Sequence, residues 1–329
     1  MKAVLVRSLD DVAVVEMAKP VPGPGEIVVA MKAVGICGSD TTPWYVESKA
    51  PVVLGHEPAG VVAEAGALVK AFRAGDRVVV HHHAACGACR FCRAGEDVMC
   101  PEWKKTRLHP GGLAEYVRVE AAAVATDTLR LPDALSFEDG ALVEPLACAV
   151  KAVRRARVAA WDSVAVIGLG ANGILLGLVA KSAGCGPLIG CDPDPARRAH
   201  ALRLGFDRAV APGDALGEND AILVLPTADE AVRSALASAA PAARVVFYSP
   251  IEPGKAWRLE PHAAYLRDLS LLFSYSSGAA DMREALALLE RGAVRAAGLV
   301  TNRVPLVRAA EAFALARQGG DVLKVVVTF

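Results

Sequence analysis

Hydrophobic and polar positions follow two different patterns along the chain. Up to about residue 145, short runs rich in β-branched residues alternate with turn-forming residues, which is typical of strands joined by loops. We expect strands at residues 12–15, 26–34, 61–65 and 77–80, with the proline- and glycine-rich segment 20–25 forming a rigid turn before the second. The first part of the chain is therefore predicted to be rich in β-structure.

From about residue 160, short apolar runs alternate with amphipathic runs of helical period. Such an alternation of strand and helix predicts a doubly wound parallel sheet. The last part of the chain adds one helix and then returns to strand-like runs. The expected strands are residues 163–167, 188–191, 221–225, 244–248, 300–304 and 322–327, and the expected helices are residues 171–183, 195–204, 229–239 and 280–291.

The composition limits the possible partners. With 329 residues, 53% of them hydrophobic, the chain can bury two ordinary cores. The formal net charge is zero, from 36 basic and 36 acidic residues, and this balance argues against nucleic acid or an anionic membrane as a partner. The chain begins at Met1 on a strand-like alternation without a secretory signal pattern, so we expect a reducing, cytoplasmic setting.

Four of the eight cysteines form a compact array with the spacing C-x2-C-x2-C-x7-C, namely Cys86, Cys89, Cys92 and Cys100. Four soft sulfur ligands at turn-like spacing suit a closed, tetrahedral structural Zn²⁺ site. Disulfides are the alternative, but close-spaced cysteines in a cysteine-poor chain without a secretory signal favour a metal. A zinc ribbon that binds nucleic acid would need an excess of Lys and Arg, which this chain lacks.

A second motif, G-x-G-x-x-G, is formed by Gly168, Gly170 and Gly173. It lies between an expected strand and the helix that follows, which is the position it has in dinucleotide-binding folds. There the first glycine permits a tight turn, the second lets the backbone approach a pyrophosphate, and the third lets helix and strand pack closely. A glycine loop that serves only helix packing is the alternative.

An acidic residue after the next strand bears on the choice of dinucleotide. Asp192 follows Gly173 by 19 residues, where a carboxylate is expected to bind the adenosine ribose hydroxyls. A carboxylate there would repel a 2′-phosphate, so the sequence favours NAD over NADP. Arg197 and Arg198 lie nearby and are the residues that would host such a phosphate instead.

A mixed set of metal ligands lies nearer the N-terminus. Cys37, His56 and Glu57 offer a thiolate, an imidazole and a carboxylate, which is the ligand set of an open, catalytic zinc site. Asp40 is placed to accept a hydrogen bond from the second nitrogen of a ligating histidine. Glu144 is an acid in an apolar run and is a candidate fourth or alternating ligand. Taken singly, Cys37 and His56 also suit ordinary core positions, and the combination favours a metal.

Together these motifs resemble the zinc-dependent medium-chain dehydrogenase/reductase family along nearly the whole chain. The resemblance rests on residues 37–40 (Cys-Gly-Ser-Asp), 55–57 (Gly-His-Glu), the four-cysteine array, 111–116 (Gly-Gly-Leu-Ala-Glu-Tyr), 144–146 (Glu-Pro-Leu) and 168–170 (Gly-Leu-Gly).

The resemblance implies an α/β protein of two domains. Residues 1–147 would form a GroES-like, β-rich catalytic domain that carries the zinc sites, and residues 148–273 a doubly wound Rossmann domain that binds NAD. Residues 274–329 would return to the catalytic domain, and the active site would lie in the cleft between the domains. Members of the family are usually homodimers or homotetramers.

The resemblance also assigns roles to single residues. Cys37, His56 and Glu57 would hold the catalytic zinc, and Ser39 would accept the proton of the alcohol. Alcohol dehydrogenases of the liver type have a second cysteine where this chain has Glu144. The acid at this position is closer to the polyol branch, which includes the sorbitol and iditol dehydrogenases.

The implied activity is hydride transfer between the secondary alcohol of a polyol or sugar-like compound and NAD, with two zinc ions per chain. An amino-alcohol or sugar-phosphate dehydrogenase is the alternative within the family, since Lys104 and Arg107 would supply an anion site. A silent zinc- and nucleotide-binding module is the alternative outside catalysis. The intact set of Cys37, Ser39, His56 and Glu57 argues against a silent module.

Two departures from the family pattern stand out. Branches with a histidine two residues after Asp40 use it to end a proton relay, and this chain has Thr42 there. The triplet at residues 81–83, all histidine, directly follows an expected strand. Neighbouring residues of a strand face opposite sides, so at most the first and third would share a face, and we expect no metal site there.

Overall fold

A computed structural model describes the whole chain, residues 1–329. The strands, numbered in chain order, are β1 (Lys2–Ser8), β2 (Asp11–Glu16), β3 (Ile27–Gly35), β4 (Val52–Val53), β5 (Glu57–Ala65), β6 (Arg77–Val80), β7 (Leu108–His109), β8 (Tyr116–Val119), β9 (Thr128–Arg130), β10 (Val164–Ile167), β11 (Leu188–Cys191), β12 (Arg208–Val210), β13 (Asn219–Val224), β14 (Ala239–Phe247), β15 (Ser270–Phe273), β16 (Val300–Pro305) and β17 (Lys324–Thr328).

The α-helices are α1 (Pro43–Glu47), α2 (Arg90–Arg93), α3 (Ala121–Thr126), α4 (Phe137–Ala141), α5 (Val143–Arg155), α6 (Ala171–Ser182), α7 (Pro195–Arg203), α8 (Asp229–Ala237), α9 (Pro261–Leu266), α10 (Ala279–Glu290) and α11 (Ala309–Gln318). Short 3-10 turns complete the list at Gly38–Thr41, Asp97–Met99, Trp103–Lys105, Ala296–Gly298 and Leu306–Arg308. No helix is both long enough and apolar enough to cross a membrane.

Two units divide the chain. The first unit contains Met1–Ala147 together with Ser277–Phe329, and the second contains Cys148–Ser276. The chain therefore leaves the first unit once and returns to it. Near its end, at Ser276, the second unit still contributes to its sheet, because the backbone N–H of Ser274 donates to the carbonyl of Phe247.

The first unit is built mainly on antiparallel strands, and only β16 and β17 pair in parallel. Its larger sheet has the order β16-β17-β3-β5-β6-β9, with β8 pairing to both β3 and β7, and a three-stranded sheet has the order β2-β1-β4. The side chains that these strands bury form one hydrophobic core, with Val4, Val29, Val62, Leu113 and Phe313 among its members. This core fixes the ends of β3 and β5, which carry the candidate metal ligands.

The C-terminal strand β17 completes the larger sheet of the first unit. It pairs antiparallel with β3, with Val326 opposite Gly35 and Val327 opposite Val34. A strand from the far end of the sequence therefore lies directly beside the segment that leads into Cys37.

The second unit is a doubly wound parallel sheet. Its strand order is β12-β11-β10-β13-β14-β15, and every pairing in it is parallel. Four-residue strands such as β10 and β11 are buried along their whole length, as expected for a sheet covered on both faces. The order reverses at β10, so the turn after β10 lies at the topological switch point, where such sheets bind ligands.

The predicted bounds of strands and helices are correct where the hydrophobic period is clear, and they are wrong where pairing with a distant strand sets the end of an element. Strands β6 and β11 have the predicted bounds, whereas helix α8 ends at Ala237 because Ala239 begins β14. The helical segments 143–155 and 309–318 were not predicted. Strand β6 ends at Val80 as predicted, so the histidine triplet lies outside the strand.

Candidate active site and metal-binding groups

The turn after strand β3 presents the first of the candidate ligands, Cys37. Residues Gly38–Thr41 form a 3-10 turn, and the Asp40 carboxylate accepts a hydrogen bond from the backbone N–H of Cys37 at 3.1 Å. The same side chain is fully buried, and its Oδ1 lies 3.4 Å from Nδ1 of His56. Asp40 therefore fixes both the turn that carries the thiol and the orientation of the imidazole.

Three donor atoms of different chemistry converge beside this turn. The Sγ of Cys37, a ring nitrogen of His56 and a carboxylate oxygen of Glu57 all lie within 4.8 Å of one another. Because Asp40 occupies the Nδ1 side of His56, the Nε2 side is the one available to a metal. One thiolate, one imidazole and one carboxylate fit a zinc ion that keeps an open position.

Glu57 is held by a cation that the sequence analysis did not identify. Nζ of Lys324 lies 2.7 Å from Oε1 of Glu57 and also contacts Oε2, and it donates to the carbonyl of Ile36 at 3.0 Å. Both side chains of the pair are buried. A Cβ at Gly35 would lie 1.8 Å from the Glu57 carboxylate, so only glycine leaves room for the pair.

Burial and neighbouring charges oppose each other at these groups. Burial by itself lowers the pKa of His56, but the negative charges of Asp40 and Cys37 outweigh it, and the pKa lies well above its ordinary value. Burial likewise lowers the pKa of Lys324, while the charges of Glu57 and Cys37 raise it above its ordinary value, so the lysine is cationic. The group as a whole favours positive charge, which a metal ion would supply.

Ser39 and Thr42 occupy the same turn with different partners. Ser39 is partly buried and lies two residues from Cys37. The hydroxyl of Thr42 donates to the carbonyl of Gly38 at 2.9 Å, a bond that holds the turn closed. Thr42 thus has a structural partner of its own.

Glu144 does not join the group of three donors. It lies in the first turn of α5, and its carboxylate is within 4.8 Å of ring nitrogens of His81 and His82. Burial raises the pKa of Glu57, Lys324 and His56 oppose this rise, and the charge of Glu144 adds to it, so that the pKa lies above its ordinary value. The alternation expected along a strand does not apply to the histidine triplet, because β6 ends at Val80, and His81 and His82 both reach Glu144.

The four cysteines of the loop converge as predicted for a closed site. Their sulfur atoms lie within 4.8 Å of one another, with 3.5 Å between Cys89 and Cys92 and 3.9 Å between Cys86 and Cys92. Four sulfur ligands at tetrahedral corners around zinc are about 3.8 Å apart. Backbone N–H groups of Ala88 and Cys89 lower the pKa of Cys86 to about 6, which favours the thiolate.

The glycine-rich loop lies at the switch point of the parallel sheet. Gly170 is the N-cap of α6 and has open space where a Cβ would be, so an anionic group can approach the helix N-terminus there. A Cβ at Gly173 would lie 1.9 Å from the carbonyl oxygen of Gly168, so glycine is required for the helix to pack on the loop. These features fit a pyrophosphate.

Asp192 is buried beside this loop. Its carboxylate accepts hydrogen bonds from the backbone N–H groups of Leu169 at 2.7 Å and Asp194 at 2.9 Å. A guanidinium nitrogen of Arg197 lies 3.8 Å from the same carboxylate, whereas Arg198 donates to the carbonyls of Asp192 and Pro193. Each carboxylate oxygen has a second lone pair, which a ribose hydroxyl would use.

Comparison with known proteins bears on both metal groups and on the loop. A profile described as "Alcohol dehydrogenase GroES-like domain" matches residues 23–133. D-altritol 5-dehydrogenase of Agrobacterium fabrum is 32% identical over 86% of this chain and 86% of its own length. The chain belongs to the zinc-type medium-chain dehydrogenase family. The predicted resemblance to this family is confirmed.

Two solved dehydrogenase structures superimpose on the whole chain. The 2R,3R-butanediol dehydrogenase of Bacillus subtilis superimposes with a TM-score of 0.88 at 27% identity, covering 100% of this chain and 99% of the other. A protein of E. coli CFT073 described as a "short chain alcohol dehydrogenase", solved with NADH, gives a TM-score of 0.90 at 25% identity with the same coverage. The predicted fold class, a GroES-like domain with a Rossmann domain, is therefore confirmed. Membership of the zinc-type medium-chain dehydrogenase family supports zinc and a nicotinamide dinucleotide as cofactors.

The extent of similarity differs among curated relatives. The alignment with a zinc-type alcohol dehydrogenase-like protein of Escherichia coli, at 37% identity, spans 57% of that protein's length. The alignment with the sorbitol dehydrogenase of Bacillus subtilis, at 32% identity, spans 59% of its length.

We predict that the buried ion pair stabilises the first unit strongly. Replacing Lys324 by Met leaves the Glu57 charge buried without a partner, which costs about 3–5 kcal/mol of unfolding free energy. Unfolding in urea should therefore shift to markedly lower concentration in K324M. The double variant K324M/E57Q should recover part of the loss, because it removes the uncompensated charge.

The matched control is K19M, because Lys19 makes an exposed ion pair with Glu64 at 2.6 Å. Exposed pairs contribute little, so this variant should unfold close to wild type. Equal shifts for K324M and K19M would show that the buried pair has no special role.

Proposed function

We propose that this protein is a zinc- and NAD-dependent dehydrogenase acting on the secondary alcohol of a polyol or sugar-like compound. The convergence of Cys37, His56 and Glu57 beside the turn that carries Ser39 is the observation that carries this proposal. The acids at 57 and 144 support the polyol class. Three relatives are named as dehydrogenases of altritol, sorbitol and butanediol, and these names also support a polyol substrate.

In this proposal two zinc ions bind tightly to each chain. One is held by Cys37, His56 and Glu57, and the other by the four cysteines of the loop. The first supplies Lewis-acid polarisation of the alcohol oxygen when it is bound. The second is enclosed by four thiolates and serves the structure.

The residues of the chain then divide the remaining tasks. Ser39 accepts the proton of the alcohol and passes it to water or to a ribose hydroxyl. A bound nicotinamide dinucleotide would supply the acceptor for the hydride of the carbinol carbon. Asp40 keeps the His56 ring in the orientation that leaves Nε2 toward the metal. Lys324 neutralises the charge of Glu57 and holds its carboxylate in place. Cys37 and His56 provide the other two donors to a divalent cation.

We also propose a cellular location and a mode of assembly for this protein. All eight cysteines are unpaired, which supports a reducing, cytoplasmic location. The edge strand β15 exposes more than half of Phe273, and this edge is where we propose that copies of the chain associate as a homodimer or homotetramer.

A substrate screen tests the proposed activity. Purified, zinc-loaded protein should reduce NAD with polyols as substrates and should do so faster than with simple primary alcohols or amino alcohols. The measurement is the appearance of NADH absorbance across a panel of the three classes. Preference for amino alcohols would replace the polyol assignment, and no activity with any class would contradict a dehydrogenase.

Coenzyme choice follows from the carboxylate beside the glycine-rich loop. We predict that wild type prefers NAD and that Asp192→Ala weakens NAD binding by about 1.5–3 kcal/mol, the size of a lost charged hydrogen-bonding group. The variant should also discriminate less against NADP, since the repulsive charge is gone. Dissociation constants for both dinucleotides, measured by calorimetry, decide this.

Arg197→Ala is the comparison variant, because its guanidinium faces the same carboxylate. It should change NAD binding less than Asp192→Ala. If wild type preferred NADP and Arg197→Ala removed that preference, Arg197 rather than Asp192 would determine the coenzyme.

Proton transfer should depend on Ser39 and not on Thr42. Ser39→Ala should slow hydride transfer by about 10²-fold or more, the usual effect of losing a proton-transfer group. Thr42→Ala removes a hydroxyl that donates to Gly38 and should cost far less, leaving the shape of the pH profile unchanged. Single-turnover rates across about pH 5 to 9, a range that includes the pH values at which folded proteins are usually most stable, test both variants. Comparable losses in the two variants would reject this proton path.

A further inference from the structure

A second set of donor atoms lies outside the group that contains Cys37. It consists of ring nitrogens of His81 and His82 and a carboxylate oxygen of Glu144, all within 4.8 Å of one another. None of these atoms has a role in the proposed reaction. Two of the three side chains come from the histidine triplet and the third from the start of α5.

His81 has the hydrogen-bonding pattern of a metal ligand. Its Nδ1 lies 2.7 Å from the carbonyl of His83 and 3.6 Å from Oδ1 of Asp127, so the proton of the neutral ring is held on Nδ1. The side chain is fully buried, and its Nε2 has no hydrogen-bond partner. Ligating histidines typically donate one ring N–H to a carbonyl or carboxylate and offer the other nitrogen to the metal.

His82 presents a second nitrogen without a partner. Its Nδ1 is buried and makes no hydrogen bond. Its ring lies 4.7 Å from that of His81 and 5.1 Å from that of His56, measured between centroids. A buried polar atom without a partner costs free energy, and two such atoms side by side are explained if a cation joins them.

Acidic groups are concentrated around these donors. Cys37, Asp40, Glu57, Asp127 and Glu144 carry five ionisable acidic groups, four of them in buried carboxylates. The buried ammonium of Lys324 contacts Glu57, while the rings of His56 and His81 face Asp40 and Asp127. Buried acids are normally balanced by cations, and a divalent ion held by His81, His82 and Glu144 would add positive charge to this set.

We propose that His81 Nε2, His82 Nδ1 and the Glu144 carboxylate form a second metal position next to the Cys37–His56–Glu57 group. Two imidazole nitrogens and one carboxylate oxygen suit Zn²⁺ or another borderline first-row divalent cation. The position has no thiolate ligand, so it binds its ion more weakly than the two sulfur-containing sites. It fills only when free metal is present in excess over two equivalents.

The test is a metal titration of the folded protein. Protein that holds two tightly bound zinc ions is dialysed against rising concentrations of free Zn²⁺ or Co²⁺, and bound metal is counted by elemental analysis. We expect saturable binding of a third equivalent. Co²⁺ in this position should add d–d absorption without a new thiolate-to-metal charge-transfer band, because its ligands contain no sulfur.

Three variants locate the third equivalent. His82→Gln and Glu144→Gln should each weaken it by at least about 10-fold, as expected when a ligand set is damaged. His83→Gln is the matched control from the same triplet, because the His83 ring bonds to the carbonyl of Thr106 instead. It should retain the third equivalent. Should Glu144→Gln fold poorly, His82→Gln and His83→Gln still form a complete comparison.

The outcomes separate this site from the proposed reaction. Absence of a third equivalent at millimolar free metal would overturn the proposal, and so would equal binding by His82→Gln and wild type. A charge-transfer band that grows with the third equivalent would also overturn it by placing the ion on sulfur. All of these readouts count or characterise metal, so they hold whether or not the protein oxidises polyols.

Discussion

The buried ion pair between Glu57 and Lys324 is the interaction on which the candidate active site depends. Its two residues are 267 positions apart in the sequence, and both are almost completely buried. Neither charge would be tolerated alone in this interior, because desolvation of an unpaired ion costs several kcal/mol. The pair therefore ties the C-terminal strand to the strand that begins with a candidate ligand, and Gly35 is the residue that leaves it space.

A second acid, Asp40, determines the positions of the other two candidate ligands, Cys37 and His56. It accepts the backbone N–H of Cys37 and faces the ring of His56, so one carboxylate sets the positions of two candidate ligands. Because His56 and Glu57 are adjacent in sequence, Asp40 and Lys324 between them orient all three donors. The open coordination position that catalysis needs is possible because the protein fixes three ligands rigidly and leaves the rest to water or substrate.

The histidine triplet shows how a local rule fails when its element ends. Alternation along a strand places His81 and His82 on opposite faces, and it would do so if β6 continued. The strand stops at Val80, and the ring of His81 turns back to bond the carbonyl of His83. Both rings then reach Glu144, which a new helix brings from more than 60 positions away in the sequence.

The sequence by itself determined the kinds of ligand and the two local loops. The four cysteines lie within fifteen residues and the glycine motif within six, so short-range geometry brings each set together without help from the rest of the chain. The tertiary structure alone decided which distant side chains meet. Lys324 was visible only as one charge in an apolar run, and nothing in its neighbourhood indicates Glu57 as its partner. Such contacts depend on strand order and register, which the hydrophobic pattern of one segment does not contain.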